Sequence, residues 1–281
     1  MKAPKVSVLC MVYKHEAYLR QCFDGFVMQK TTFPIEILVN DDCSPDGSAD
    51  VMREYEESYP KLFHCIYQEE NQYSKGIMPL CETLFPMAQG EYIAICEGDE
   101  SEKSPMVFDL DDITVEHLIK GQWIGTLTVV CRRELLVDFK PPFPSLPFVD
   151  VPMWFHLALK GKIKYLKDIT GNYRRLNESA CHFLDKKKEY LFGLDVMRVR
   201  EYYAMLVDKV EVAQPMFSKD SHYYLEQCYQ NQWFDFPIDT LWHFVKEYGH
   251  PSGYDKLKYW GMKSEINYAI ASAMLKIKGK M

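Results

Sequence analysis

The sequence predicts an α/β protein built on a mainly parallel sheet flanked by helices, with a helical region after it. Three observations carry that expectation. Short apolar runs alternate with amphipathic stretches as far as residue 100. Each run ends in a polar, turn-rich segment. After about residue 183 strand signals fade and aromatic, helix-period sequence takes over.

Residues 5–13 carry Val6, Val8, Leu9, Cys10 and Val12 and read as the first strand. An amphipathic stretch opens at Lys14-His15-Glu16, with Tyr18, Leu19, Cys22, Phe23 and Phe26 at helical spacing. Residues 35–40 form a second strand ending in Asp41-Asp42-Cys43-Ser44-Pro45-Asp46-Gly47-Ser48, and residues 49–57 the next helix. A third strand, 63–67, leads to Asn71-Gln72-Tyr73-Ser74-Lys75-Gly76, then to a helix running to Met87. The fourth strand, 92–96, delivers Glu97-Gly98-Asp99-Glu100. The last region reads as helices over 190–207, 221–230, 240–248 and 254–278, punctuated by Pro215, Pro237 and Pro251.

In open parallel sheets ligands sit beyond the carboxyl ends of the strands. All four polar segments fall there. Three carboxylates at a strand exit are costly unless a cation sits with them. With Gly98 as spacer, Glu97 and Asp99 can turn toward a common point. Oxygen ligands of this kind suit a hard divalent ion that keeps positions open for phosphate oxygens. The plain alternative is an acidic turn after a strand. Asp41, Asp42 and Asp46 have an alternative too, an Asx-rich turn that caps the next helix.

Four motifs in order resemble the inverting nucleotide-sugar glycosyltransferases of family 2, which have the GT-A fold. They are Met11-Val12-Tyr13-Lys14 with His15-Glu16; Asn40 to Ser48, with Cys43 where relatives have Gly; Asn71 to Gly76; and Gly90-Glu91-Tyr92-Ile93-Ala94 before the acidic motif. The resemblance is close over residues 4–100 and looser from 121 to about 180, where it implies a strand over 123–131, a helix over 155–159 and a strand over 162–166. There Asp150 precedes an apolar helical stretch, and Tyr173-Arg174-Arg175 is similar to the family's Tyr-Arg-x-His segment, with His182 the nearest His.

The resemblance implies a sheet domain over 1–182, nucleotide-binding in 1–100 and acceptor-side in 101–182, followed by a helical region over 183–281. It implies transfer from a nucleotide-diphospho-sugar, expected to be a UDP-sugar, to a hydroxyl of a glycan or lipid-linked acceptor in surface polysaccharide assembly. Asp99 is the expected metal ligand, holding Mn2+ or Mg2+ against the diphosphate, with Glu97 as its partner or as a contact to the sugar. Asp150 is the expected base, taking the acceptor's proton as it attacks the opposite face of the sugar carbon. Asp41, Asp42, Tyr13 and Glu16 border the nucleotide, and Lys75 and Arg174 are the basic groups for phosphate. Each has a structural alternative: Asp150 as a helix cap, Tyr13 as core, Lys75 and Arg174 as surface cations. Glu100 stands where many relatives have Asp, and the segment between Asp99 and Asp150 is several dozen residues shorter than theirs.

Two other readings stay open: transfer to a polyprenyl phosphate, or a non-catalytic nucleotide-binding scaffold. A sugar-1-phosphate nucleotidyltransferase would start with a Gly-rich phosphate loop, and residues 10–20 hold no Gly. Net charge is −7 over 281 residues, which argues against a binder driven by nucleic-acid phosphates. Nine scattered cysteines without a CxxC pair suit a reducing compartment. With no signal peptide or bilayer-length apolar run, the expected location is the cytoplasm, peripheral at the inner face of the membrane. The terminal helix carries Trp260, Met262, Ile266, Ala269, Ile270, Ala273, Met274 and Ile277 with four lysines around them. It can meet an anionic membrane, or pack on the domain or a second subunit.

Overall fold

The computed structural model describes residues 3–97, 112–121, 124–144, 146–166 and 185–277. The chain divides into Met1–Val115 with Trp123–Asn177, and Glu116–Gln122 with Glu178–Met281.

In the first unit, β1 (Val6–Val12), β2 (Ile35–Asp41), β3 (Phe63–Tyr67), β4 (Tyr92–Glu97) and β6 (Val130–Arg132) form one sheet in the order β3-β2-β1-β4-β6. The first four strands are parallel and β6 is antiparallel to β4. A small second sheet pairs β5 (Asp112–Ile113) with β7 (Ile163–Lys164). The helices of this unit are α1 (Glu16–Val27), α2 (Ser48–Ser58), α3 (Phe85–Met87) and α5 (Asp150–Lys160), with the short α4 (Val115–Ile119) starting at its boundary.

Both faces of the parallel strands are covered, as their near-continuous apolar runs require. On one face Cys10, Val12, Ile37, Val39 and Phe63 pack against Leu19 and Phe23 of α1 and Val51, Met52 and Tyr55 of α2. A π-helical turn, Leu80–Leu84, packs on β1 and β2, with Leu80 and Leu84 buried. At the amino end of the sheet, Ser7 Oγ donates to the buried Glu36 carboxylate at 2.5 Å and accepts from Gly90 N–H at 2.8 Å. A Cβ on Gly90 would lie 2.5 Å from the Ser7 nitrogen. That close approach is why the Gly-Glu-Tyr entry to β4 starts with glycine.

The second unit is helical: α6 (Lys186–Leu206), α7 (Val210–Asn231), α8 (Ile238–Tyr248), α9 (Gly253–Gly261) and α10 (Glu265–Ile277). Aromatic side chains fill it. Phe217 meets Phe244 and Tyr248, and Tyr190 meets Tyr223, Tyr224 and Trp233. Tyr229 of α7 and Ser272 of α10 share a buried hydrogen bond of 2.7 Å.

Several elements differ from the sequence reading. The strand expected over 123–131 is shorter: Thr126–Thr128 forms a 3-10 turn and only Val130–Arg132 pairs with β4. Pro215 does not end a helix, because α7 runs through it at the loss of one backbone hydrogen bond. The single helix expected over 254–278 is two. Ser264 starts α10, its Oγ accepting from Asn267 N–H and its carbonyl from Tyr268 N–H. The helix expected up to Met87 begins as the π turn.

Candidate active site

Parallel pairing brings the polar strand ends to one edge. Val12 registers with Asp41, Asp41 with Tyr67, and Met11 with Glu97. Tyr13 follows β1 immediately and is 41% exposed, with the Lys14 ammonium 5.2 Å from its ring centroid. Asp41 ends β2 and is buried, and its carboxylate accepts from Ser44 N–H at 3.2 Å. Asp42 is buried beside it, and its two oxygens accept from Gln72 N–H at 2.7 Å and Tyr73 N–H at 3.0 Å. Its carboxylate therefore organises the 71–76 turn.

The loops after β1 and β2 are sewn together. Lys14 N–H donates to Ser44 Oγ and His15 N–H to Ser48 Oγ, each at 3.0 Å. Glu16 and Asp46 clasp the starts of α1 and α2 reciprocally. Glu16 N–H donates to Asp46 at 3.2 Å, and Gly47 N–H donates to Glu16 at 2.8 Å. Partial burial pushes the Asp46 carboxyl up, but hydrogen bonds from Ser48 Oγ and from the Ser48 and Glu16 amides hold it below the usual range. Cys43, between these loops, has φ of +59°. The left-handed backbone there explains the glycine of the motif.

The 71–76 turn reaches the acceptor side. Tyr73 donates its hydroxyl proton to the Pro147 carbonyl at 3.0 Å, three residues before α5. Lys75 is exposed and ion-paired with Glu70. Asp150 is the first residue of α5, and the cap is Val149. One Asp150 oxygen accepts from Val151 N–H at 2.8 Å and the other from Thr126 Oγ at 3.3 Å. Burial pushes the Asp150 carboxyl above the ordinary value of 3.8, against the lowering effect of those two hydrogen bonds.

The structure thus brings Tyr13, Glu16, Asp41, Asp42, Lys75 and the Glu97 backbone to one sheet edge, and ties that edge to the approach to Asp150. The Glu97 side chain, Gly98, Asp99, Glu100 and Arg174 lie outside the described residues. Among the described residues no group of three or more His, Cys, Asp or Glu is placed to hold a metal. Thr126, Ser44, Ser48 and Tyr73 belong to the site without having been singled out from sequence. Ser44, Ser48 and Tyr73 lay inside motifs that could have flagged them, and Thr126 lay outside them.

Residues 7–104 match the model described as glycosyl transferase family 2. A protein of Mycobacterium tuberculosis with no assigned function is 27% identical over 226 residues, covering 65% of this chain and 63% of its own. The chain thus spans just under two thirds of the length of these curated relatives. TuaG of Bacillus subtilis, named as a glycosyltransferase of teichuronic acid biosynthesis, is 24% identical over 63% of this chain and 81% of its own. Among solved structures, Staphylococcus aureus TarS 1-349 with UDP-GlcNAc shares this fold with TM-score 0.58 and 17% identity, over 96% of this chain and 85% of that one. So does the mannosyltransferase PcManGT of Pyrobaculum calidifontis with GDP-Man and Mn2+, with TM-score 0.53 and 13% identity, over 100% of this chain and 89% of that one.

Proposed function

We propose that this chain, whose residues 7–104 match the glycosyl transferase family 2 model, is a family 2 glycosyltransferase that moves a sugar from a UDP-sugar to a hydroxyl of a surface-polysaccharide acceptor, with inversion. The observation that carries the reading is the shared edge: Tyr13, Asp41 and Glu97 close three adjacent parallel strands, and the Tyr73–Pro147 bond ties that edge to the start of α5. UDP-GlcNAc in a structural neighbour supports the donor class, and the teichuronic acid biosynthesis in the name of TuaG supports the acceptor class.

In this reading Asp41 receives the base and Tyr13 borders it. Lys75 and Arg174 meet phosphate oxygens. Asp150 accepts the proton of the attacking hydroxyl, and a carboxyl raised by burial is a stronger base than a solvated one. Thr126 and the Val151 amide orient its two oxygens. The donor set Glu97 and Asp99 is all oxygen and anionic, and it fits a hard divalent ion. Those two side chains would hold Mn2+ or Mg2+, whose chemistry there is to neutralise charge on the departing diphosphate. A neighbour solved with Mn2+ supports that choice.

The reading also includes a peripheral membrane contact. On α10, Ile266, Ala269, Ile270, Ala273, Met274 and Ile277 are exposed along one face. Among the described residues no helix is long and apolar enough to cross a membrane.

Calorimetric titration of UDP with and without Mn2+, on wild type and Asp99→Ala, tests the donor site. The expected result is Mn2+-dependent UDP binding that the variant loses. Tight GDP binding in place of UDP would change the donor. A folded protein that binds no nucleotide would end the proposal.

A further inference from the structure

One row of side chains across the sheet is rich in thiols. Cys10 registers with Cys96, Val39 with Cys10, and Cys65 with Val39. Partners in parallel register face the same side of a sheet, here the side covered by α1. From α1, Cys22 comes down onto this row, and its Sγ lies 3.9 Å from Cys96 Sγ. Cys10 is fully buried, whereas Cys22 and Cys96 are each partly exposed. A small oxidant can therefore reach the contacting pair and not its neighbour.

We propose that Cys22 and Cys96 are a modification site, a dithiol that a hydroperoxide closes to a disulfide. A disulfide bond is about 2.05 Å long, so the two sulfurs must approach by somewhat under 2 Å. Each side chain has a single rotatable bond to its sulfur, so small rotations and a slight settling of α1 onto β4 can supply that approach. The Cys22 thiolate attacks one peroxide oxygen and the O–O bond breaks. This leaves a sulfenic acid on Cys22 and releases hydroxide, or alkoxide from an organic peroxide. The Cys96 sulfur then attacks the Cys22 sulfur, the S–O bond breaks, and hydroxide leaves to take the Cys96 proton as water. For hydrogen peroxide the sum is two thiols and one peroxide giving one disulfide and two waters. Both sulfurs are oxidised and the peroxide is reduced. The bridge joins residues 74 apart and ends next to Glu97, so it fastens the carboxyl end of β4 to α1.

The alternative is that both thiols are merely small apolar side chains filling the interface. Peptide mapping of the full chain decides between them. The reduced protein is treated with hydrogen peroxide, remaining thiols are alkylated, and the non-reduced digest is analysed by mass spectrometry. The expected result is a Cys22–Cys96 linked peptide, two of the nine thiols lost, and full recovery with dithiothreitol. Cys22→Ser and Cys96→Ser should each abolish the link. Separate sulfinic acids without a link, a bridge from Cys96 to Cys10, or nine intact thiols would overturn the proposal. The wild-type map alone is decisive if a variant fails to fold.

Discussion

At the residue scale, Asp150 carries two opposed demands. Its pKa is raised by burial, so between the ordinary value of 3.8 and the raised one the folded chain holds a proton that the unfolded chain has lost. Folding stability therefore falls as pH rises through that window, and the loss persists at neutral pH. Asp150→Asn removes the buried charge. The expected result is a higher melting temperature than wild type at pH 7, the gain shrinking as pH falls from the raised value toward 3.8 and absent below it. Turnover in the same variant should fall by about 100-fold or more, as for loss of a general base, with UDP affinity nearly unchanged. A variant losing binding and turnover together would refute the separate role. Cys43 makes a second residue-scale case. A non-glycine residue in the left-handed region costs about 1–3 kcal/mol. Because glycine loses more chain entropy on folding, Cys43→Gly should gain only about 0.5–1 kcal/mol net, read from the urea midpoint. Sequence showed Cys43 as a departure from the motif; only the +59° angle shows why glycine belongs there. Thr126 was invisible because nothing in the chain marks a hydroxyl 24 residues before its carboxylate.

At the element scale, legibility followed locality. β1 to β4 came from apolar runs whose signal lies within each strand, and β3 is found over the expected residues 63–67. β6 was overextended because its apolar residues look the same in a 3-10 turn as in a strand, and pairing with β4 sets its true length. The break between α9 and α10 was missed because Ser264 sits inside an unbroken helical period, and its capping role is visible only in its hydrogen bonds. The turn at 71–76 shows what one side chain does for an element. Asp42 holds two of its amides, and a hydrogen bond to a charged group contributes about 1.5–3 kcal/mol. Asp42→Ala should therefore cost about 3–6 kcal/mol in chemical denaturation. It should also loosen the Tyr73–Pro147 tie, weakening UDP binding indirectly. Undiminished stability would mean that water replaces the carboxylate at both amides.

At the scale of the whole molecule, charge is distributed against its sum. The chain carries a net −7, yet residues 262–281 hold Lys263, Lys276, Lys278 and Lys280 against Glu265 alone. The apolar face of α10 lies among them, with Ile277 86% exposed and Ile266 74%. A helix of 13 residues is about 20 Å long. Such a stripe falls well short of the roughly 800 Å² per partner of a stable protein interface, so a second copy held by this face alone would bind weakly. A bilayer has no such minimum: apolar side chains enter the acyl boundary, and each lysine near an anionic surface adds about 1 kcal/mol. Lys263 is engaged with Asp239, which leaves the exposed Lys276 for that role among the described residues. The expected outcome is cosedimentation with phosphatidylglycerol vesicles at low salt. Binding should weaken sharply at 0.5 M salt, where the Debye length is only about 4 Å, and be slight on phosphatidylcholine. Ile270→Ser with Ile277→Ser should abolish it, with the melting temperature nearly unchanged because both side chains are exposed. Binding that survives the double substitution would place the contact elsewhere. No binding, with a dimer by light scattering that the same substitutions dissolve, would assign the face to a second copy. The sequence carried this stripe in full, since a period of 3.6 is legible without a structure. It could not tell the exposed face from a buried one, because Leu275 and Ile277 are equally apolar and only the first is covered.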